Sequence, residues 1–108
     1  MGIKEEFMEL ATEMNERPEP LASLDSVYQF NLKEGGTYQV HFKNGVVRVL
    51  EKSDSAADCT LILSEGNLRK LLNNDLNTTV AFMTGSLKVE GKLGLALKLQ
   101  EILKHYRG

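Results

Sequence analysis

The chain has 108 residues, of which 42% are hydrophobic and 26% charged, and a formal net charge of −2. That length fits one domain, with about 65% of the unfolded surface available for burial in a single core. The charge argues against a nucleic-acid groove, the lone cysteine Cys59 excludes an internal disulfide, and no apolar run approaches the roughly 18 residues of a membrane span.

The first predicted element is a helix over residues 1–17. Ile3, Phe7, Leu10, Ala11 and Met14 fall on one face, and Lys4, Glu5, Glu6, Glu9 and Glu13 fall elsewhere, an amphipathic pattern with a solvated acidic side. It is too acidic and too interrupted for a signal peptide, and the cytoplasm is the expected compartment. Pro18 and Pro20 end it, because each proline disfavours helix in the residue before it. Leu21 to Asp25 reads as a turn of helix or a loop.

The sheet and its covering helices are predicted over 27–105. Tyr28, Phe30 and Leu32 alternate with polar residues, as do Tyr38, Val40 and Phe42. Asn44-Gly45 is a strong hairpin signal, since a type I′ turn needs positive φ at both positions. A two-residue loop there pairs Phe42 with Val47 and Val40 with Val49, and puts His41 opposite Arg48 on the outward face. Ser53 to Ala57 is a polar loop. Cys59, Leu61 and Leu63 form a fourth strand. Ser64 caps a helix from Glu65 to about Leu72.

Asn77 or Thr78 caps a further short helix through Val80, Phe82 and Met83, and Gly85 suits the position after its end. Leu87 and Val89 alternate with polar residues in a fifth strand. Gly91 turns the chain into a last helix, whose start, Leu93-Gly94-Leu95-Ala96-Leu97, is apolar around its circumference. Such a helix needs cover on more than one side. Its later half, with Leu99, Ile102, Leu103 and Tyr106, is ordinarily amphipathic. The order predicts an α+β fold: a five-stranded, mainly antiparallel sheet with helices on one face.

Little chemistry is visible. His41 and His105 read as solvated, and no cluster has metal-ligand spacing. Cys59 reads as a small buried apolar group, with no base nearby to make it a nucleophile. Gly91-Lys92-Leu93-Gly94 has the spacing of an RNA-clamping loop but lacks basic and aromatic surroundings. No catalytic residue, metal or cofactor is therefore expected.

Apolar volume remains, gathered late in the chain. The candidate ligand-lining set is Phe82, Met83, Leu87, Val89, Leu93, Leu95, Ala96, Leu97 and Leu99, met by Phe7 and Leu10 from the first helix. Four methionines and few aromatics give adaptable walls.

Three stretches carry a resemblance: Asp58-Cys59-Thr60-Leu61-Ile62-Leu63-Ser64, then Ala81-Phe82-Met83-Thr84-Gly85-Ser86-Leu87-Lys88-Val89-Glu90-Gly91, then Gly94-Leu95-Ala96-Leu97-Lys98-Leu99-Gln100. In order and spacing, over Val27 to Gln100, the chain resembles the sterol carrier protein-2 family. The resemblance implies an apolar tunnel between sheet and helices. It also implies non-catalytic binding and transfer of a fatty acid, fatty acyl-CoA or sterol-like lipid. The residues from Glu101 onward depart from many eukaryotic members, which favours an acyl chain over a sterol. Transient contact with a membrane surface is compatible with this function, and integral membrane contact is not expected. The competing reading is a protein-interaction or oligomerisation module with a filled core.

Overall fold

The computed structural model describes residues 2–107. Helix α1 spans Ile3–Glu16, and a 3-10 turn at Glu19–Leu21 follows, with Pro18 just before it and Pro20 inside it. Strands β1 (Ser26–Leu32), β2 (Thr37–Lys43), β3 (Val46–Leu50) and β4 (Cys59–Leu63) come next, then helices α2 (Glu65–Leu72) and α3 (Thr78–Thr84), strand β5 (Lys88–Gly91) and helix α4 (Leu93–Arg107). The strands form one five-stranded sheet in the order β3-β2-β1-β4-β5.

The hairpin from β2 to β3 has the register its turn demands. Phe42 pairs with Val47, Val40 with Val49 and His41 with Arg48. Asn44 (φ 53°) and Gly45 (φ 74°) both take positive φ, so the turn's handedness matches the strand twist. Cross-strand pairs on the inner face then bury Val40, Phe42 and Val47 together.

β1 runs antiparallel to β2 but parallel to β4, with Tyr28 beside Cys59 and Phe30 beside Leu61. Asp58 fixes the start of that parallel pair twice over. Its carboxylate accepts from the Val27 amide at 2.8 Å, and its own amide donates to the Val27 carbonyl at 2.8 Å. β1 is thus the central strand, and Tyr28 and Phe30 are almost fully buried.

Helix α2 caps as its sequence requires. Ser64 accepts from the Asn67 amide at 3.1 Å, satisfying one of the orphan donors at a helix start. α1 lays Phe7, Leu10 and Met14 into the core, and α4 adds Ala96, Leu99, Ile102 and Leu103. Phe7 packs on Phe30 with ring centroids 5.4 Å apart.

The outward sheet face departs from expectation. The polar loop after β3, exposed from Glu51 to Ala56, folds over part of that face. Gln39 is fully buried beneath it, its oxygen accepting from the Asp54 and Ser55 amides and its NH₂ donating to the Ser55 carbonyl and to Gln29. His41 is half-buried there and bonds to the Gln39 oxygen at 3.0 Å. A fully partnered glutamine can be buried at modest cost.

Candidate functional site

α3, β5 and the first turns of α4 carry the late apolar residues. Asn77 caps α3 by accepting from the Val80 amide at 3.1 Å. Gly85, at φ 83°, ends the helix in the left-handed region, and the Leu87 amide returns to the Ala81 carbonyl at 3.0 Å. This places Leu87 inward, 2% exposed. Gly91 then turns the chain at φ +88°, where an added Cβ would lie 2.6 Å from the Asp58 carbonyl oxygen. Position 91 therefore requires glycine both for backbone conformation and for space.

α4 is fastened to its neighbours by side chains. The Tyr28 phenol donates to the Leu95 carbonyl at 2.7 Å, and burial pushes that phenol's pKa far above its ordinary value. Gln100 reaches α3, where its side-chain oxygen accepts from the Thr78 amide at 2.8 Å and from the Thr78 hydroxyl. Cys59 lies beneath the start of α4. Burial pushes its thiol up to about 11, against a smaller downward pull from the Ala96 backbone, so it stays a neutral thiol near pH 7.

Two apolar spaces appear in place of the single expected tunnel, and their linings share no residue. The outer one has a volume of about 90 Å³ and is lined by Thr78, Thr79, Phe82, Leu87, Val89, Leu93, Ala96 and Leu97. The inner one, about 20 Å³, lies under α1 and is lined by Phe7, Leu10, Ala11 and Met14 from that helix. Five sheet residues and Leu72, Leu99 and Leu103 complete it.

The sequence-predicted set thus divides. Phe82, Leu87, Val89, Leu93, Ala96 and Leu97 meet at the outer space, and Phe7, Leu10 and Leu99 at the inner one. Met83 and Leu95 line neither space. Met83 is 78% exposed, because it follows Phe82 by about 100° around the helix. Sequence reasoning misses Thr78 and Thr79, although they precede Phe82 by about one helical turn.

The cover expected around the start of α4 is incomplete. Ala96 is buried and Leu95 packs against the core, but Leu93 and Leu97 are each 43% exposed. They form the rim of the outer space. Gly94 faces open space, with no heavy atom within 4 Å of the point where a Cβ would stand. Among the described residues no group of His, Cys, Asp and Glu could hold a metal ion, and no helix is long and apolar enough to cross a membrane.

Comparison with known proteins defines the class: the profile of the SCP-2 sterol transfer family matches residues 6–104. The chain belongs to that family. It is 33% identical over 102 residues to sterol carrier protein 2 of Bos taurus, covering 89% of this chain and 19% of that protein. It is 35% identical over 104 residues to hydroxysteroid dehydrogenase-like protein 2 of Xenopus tropicalis, covering 94% of this chain and 24% of that protein. The chain therefore spans about a fifth to a quarter of these relatives' length. The solution structure of sterol carrier protein domain 2 of Helicoverpa armigera superposes with a TM-score of 0.77 at 25% identity, covering 94% of this chain and 84% of that one.

Proposed function

We propose that this chain binds and transfers an apolar lipid, an acyl chain in preference to a sterol, without catalysing a reaction on it, and that it does so in the cytoplasm. The observation that carries the reading is the outer space, floored by buried Leu87 and Ala96 and open between Phe82, Leu93 and Leu97. The family membership supports it. One relative is named for its likeness to a dehydrogenase, but the residues around this space are apolar apart from two threonines and offer no acid–base pair.

The outer space of about 90 Å³ is far below the roughly 300–1,000 Å³ of ordinary ligand sites. Loading therefore requires α3 and the start of α4 to part, and a longer guest would extend toward Leu99, Phe7 and Leu10. Each buried methylene contributes about 0.8 kcal/mol. Some 8 to 10 of them give roughly 6–8 kcal/mol before ordering costs, which suffices for micromolar binding.

The test is titration with a fluorescent fatty acid, alongside native mass spectrometry for co-purified lipid. Wild type should bind at micromolar concentration. Ala96→Leu should abolish binding by filling the floor, and Leu97→Glu should weaken it by charging the rim, both with an unchanged circular dichroism spectrum. If wild type ignores acyl chains at high micromolar concentration, the carrier reading fails and the interaction module replaces it.

A further inference from the structure

Seven large hydrophobic side chains are exposed among the described residues, and five of them lie between Val80 and Leu97. They are Val80 and Met83 on the outer side of α3, and Phe82, Leu93 and Leu97 at the mouth of the outer space. Exposed apolar residues scattered singly need no explanation, but a cluster around a cavity mouth does.

Charge is distributed unevenly about this cluster. From Lys92 to Lys104 the chain carries three lysines, Lys92, Lys98 and Lys104, against one glutamate, Glu101. Lys92, Lys98 and Lys104 are exposed and take part in none of the ion pairs formed among the described residues. Lys92 immediately precedes Leu93 and Lys98 immediately follows Leu97. Lys104 lies two helical turns beyond Leu97, on the same side. α1 has the opposite character, with five glutamates against Lys4. It meets α4 at the far end, where Arg107 pairs with Glu13 at 2.6 Å, so its negative charge is held away from the mouth.

We propose that this rim, Phe82, Leu93 and Leu97 with exposed Met83, Lys92 and Lys98 beside it, docks on an anionic lipid bilayer and opens the outer space toward it. The proposal rests on the carrier reading for its purpose. Lysines on flexible stems can hold phosphate headgroups while the neighbouring apolar side chains enter the acyl boundary. The acidic α1 would be repelled by the same surface, which orients the molecule mouth-down.

The experiment is vesicle flotation of the full chain with phosphatidylcholine alone and with added phosphatidylglycerol, at low and high salt, paired with fluorescent fatty-acid binding without vesicles. Wild type should float with the anionic vesicles and be released by salt. Lys92→Gln with Lys98→Gln should cut partitioning by about 30-fold, and Met83→Ser should lower it several-fold. Both should leave fatty-acid binding unchanged, because none of these residues lines the space. Met8→Ser, an exposed apolar change on α1, should have no effect on flotation. Flotation that ignores the lysines and Met83, or that is lost with Met8→Ser, overturns the docking face. So does self-association in solution that disappears with Met83→Ser and occurs without vesicle binding. Fatty-acid binding without vesicle binding overturns docking and leaves the carrier reading standing. Vesicle binding without fatty-acid binding does the reverse.

Discussion

The Tyr28 phenol and the Leu95 carbonyl, 67 positions apart in sequence, are joined by a 2.7 Å hydrogen bond that ties the central strand to the first turn of α4. The Leu95 carbonyl is also placed to accept within its own helix, so losing the phenol does not orphan it. Tyr28→Phe should therefore cost only about 1 kcal/mol, read as a melting temperature roughly 4–8 °C lower. An unchanged melt would mean that packing alone positions α4.

The two glycines flanking Leu93 should respond oppositely to alanine. At Gly91 the new methyl meets the Asp58 carbonyl at 2.6 Å with φ at +88°, and Gly91→Ala should destabilise by about 1–3 kcal/mol. At Gly94 nothing lies within 4 Å, and the position is helical. Gly94→Ala should stabilise by about 0.5–1 kcal/mol. Urea titrations of both variants check the signs. A destabilised Gly94→Ala would show that something packs there which the open geometry does not suggest.

Acid stability should depend on Glu6. Burial acts to raise its pKa, but the hydrogen bonds from Arg69 and Asn73 outweigh this and hold the carboxyl below its ordinary 4.5. A carboxylate depressed in the folded state contributes stability that is present above the unfolded value and lost as pH falls through the folded one. Glu6→Gln should therefore be less stable than wild type near pH 7, and the gap should narrow below about pH 4.5. Melting curves from pH 7 to acid measure this. A gap constant with pH would show that the ion pair contributes nothing through its charge.

Local chemistry was legible in the sequence wherever a single residue type fixes the backbone. Asn44-Gly45 set the hairpin register, Ser64 marked one helix start and the pair Asn77-Thr78 another, and Gly85 marked a helix end. What pairs distant segments was not legible. No local pattern distinguishes the parallel pairing of β1 with β4 from an antiparallel one, because both need the same alternation at Tyr28 and Cys59. Gln39 reads like any outward strand residue until the later loop covers it. The late apolar residues were identifiable as a group, but their division between the two spaces depends on how α3 lies beside α4. That placement rests on the long-range contact of Gln100 with Thr78.

That contact supplies the last prediction. Gln100 provides the acceptor for the first amide of α3 and for the hydroxyl of Thr78, which is 2% exposed. Gln100→Ala leaves both donors without their partner, at a cost of about 1–3 kcal/mol. The loss should concentrate in α3, whose own caps, Asn77 and Gly85, hold only its ends. Amide exchange at Ala81 and Leu87 should accelerate more than exchange in β1. On the proposed carrier function, in which α3 parts from α4 to admit a chain, fatty-acid association should also become faster while the equilibrium affinity changes less. Gln100→Glu keeps an acceptor and adds a negative charge at a helix N-terminus, a favourable position. It should restore slow exchange and slow association. If Gln100→Ala leaves exchange in α3 at wild-type rates, this contact does not hold the helix down, and entry to the outer space is controlled elsewhere.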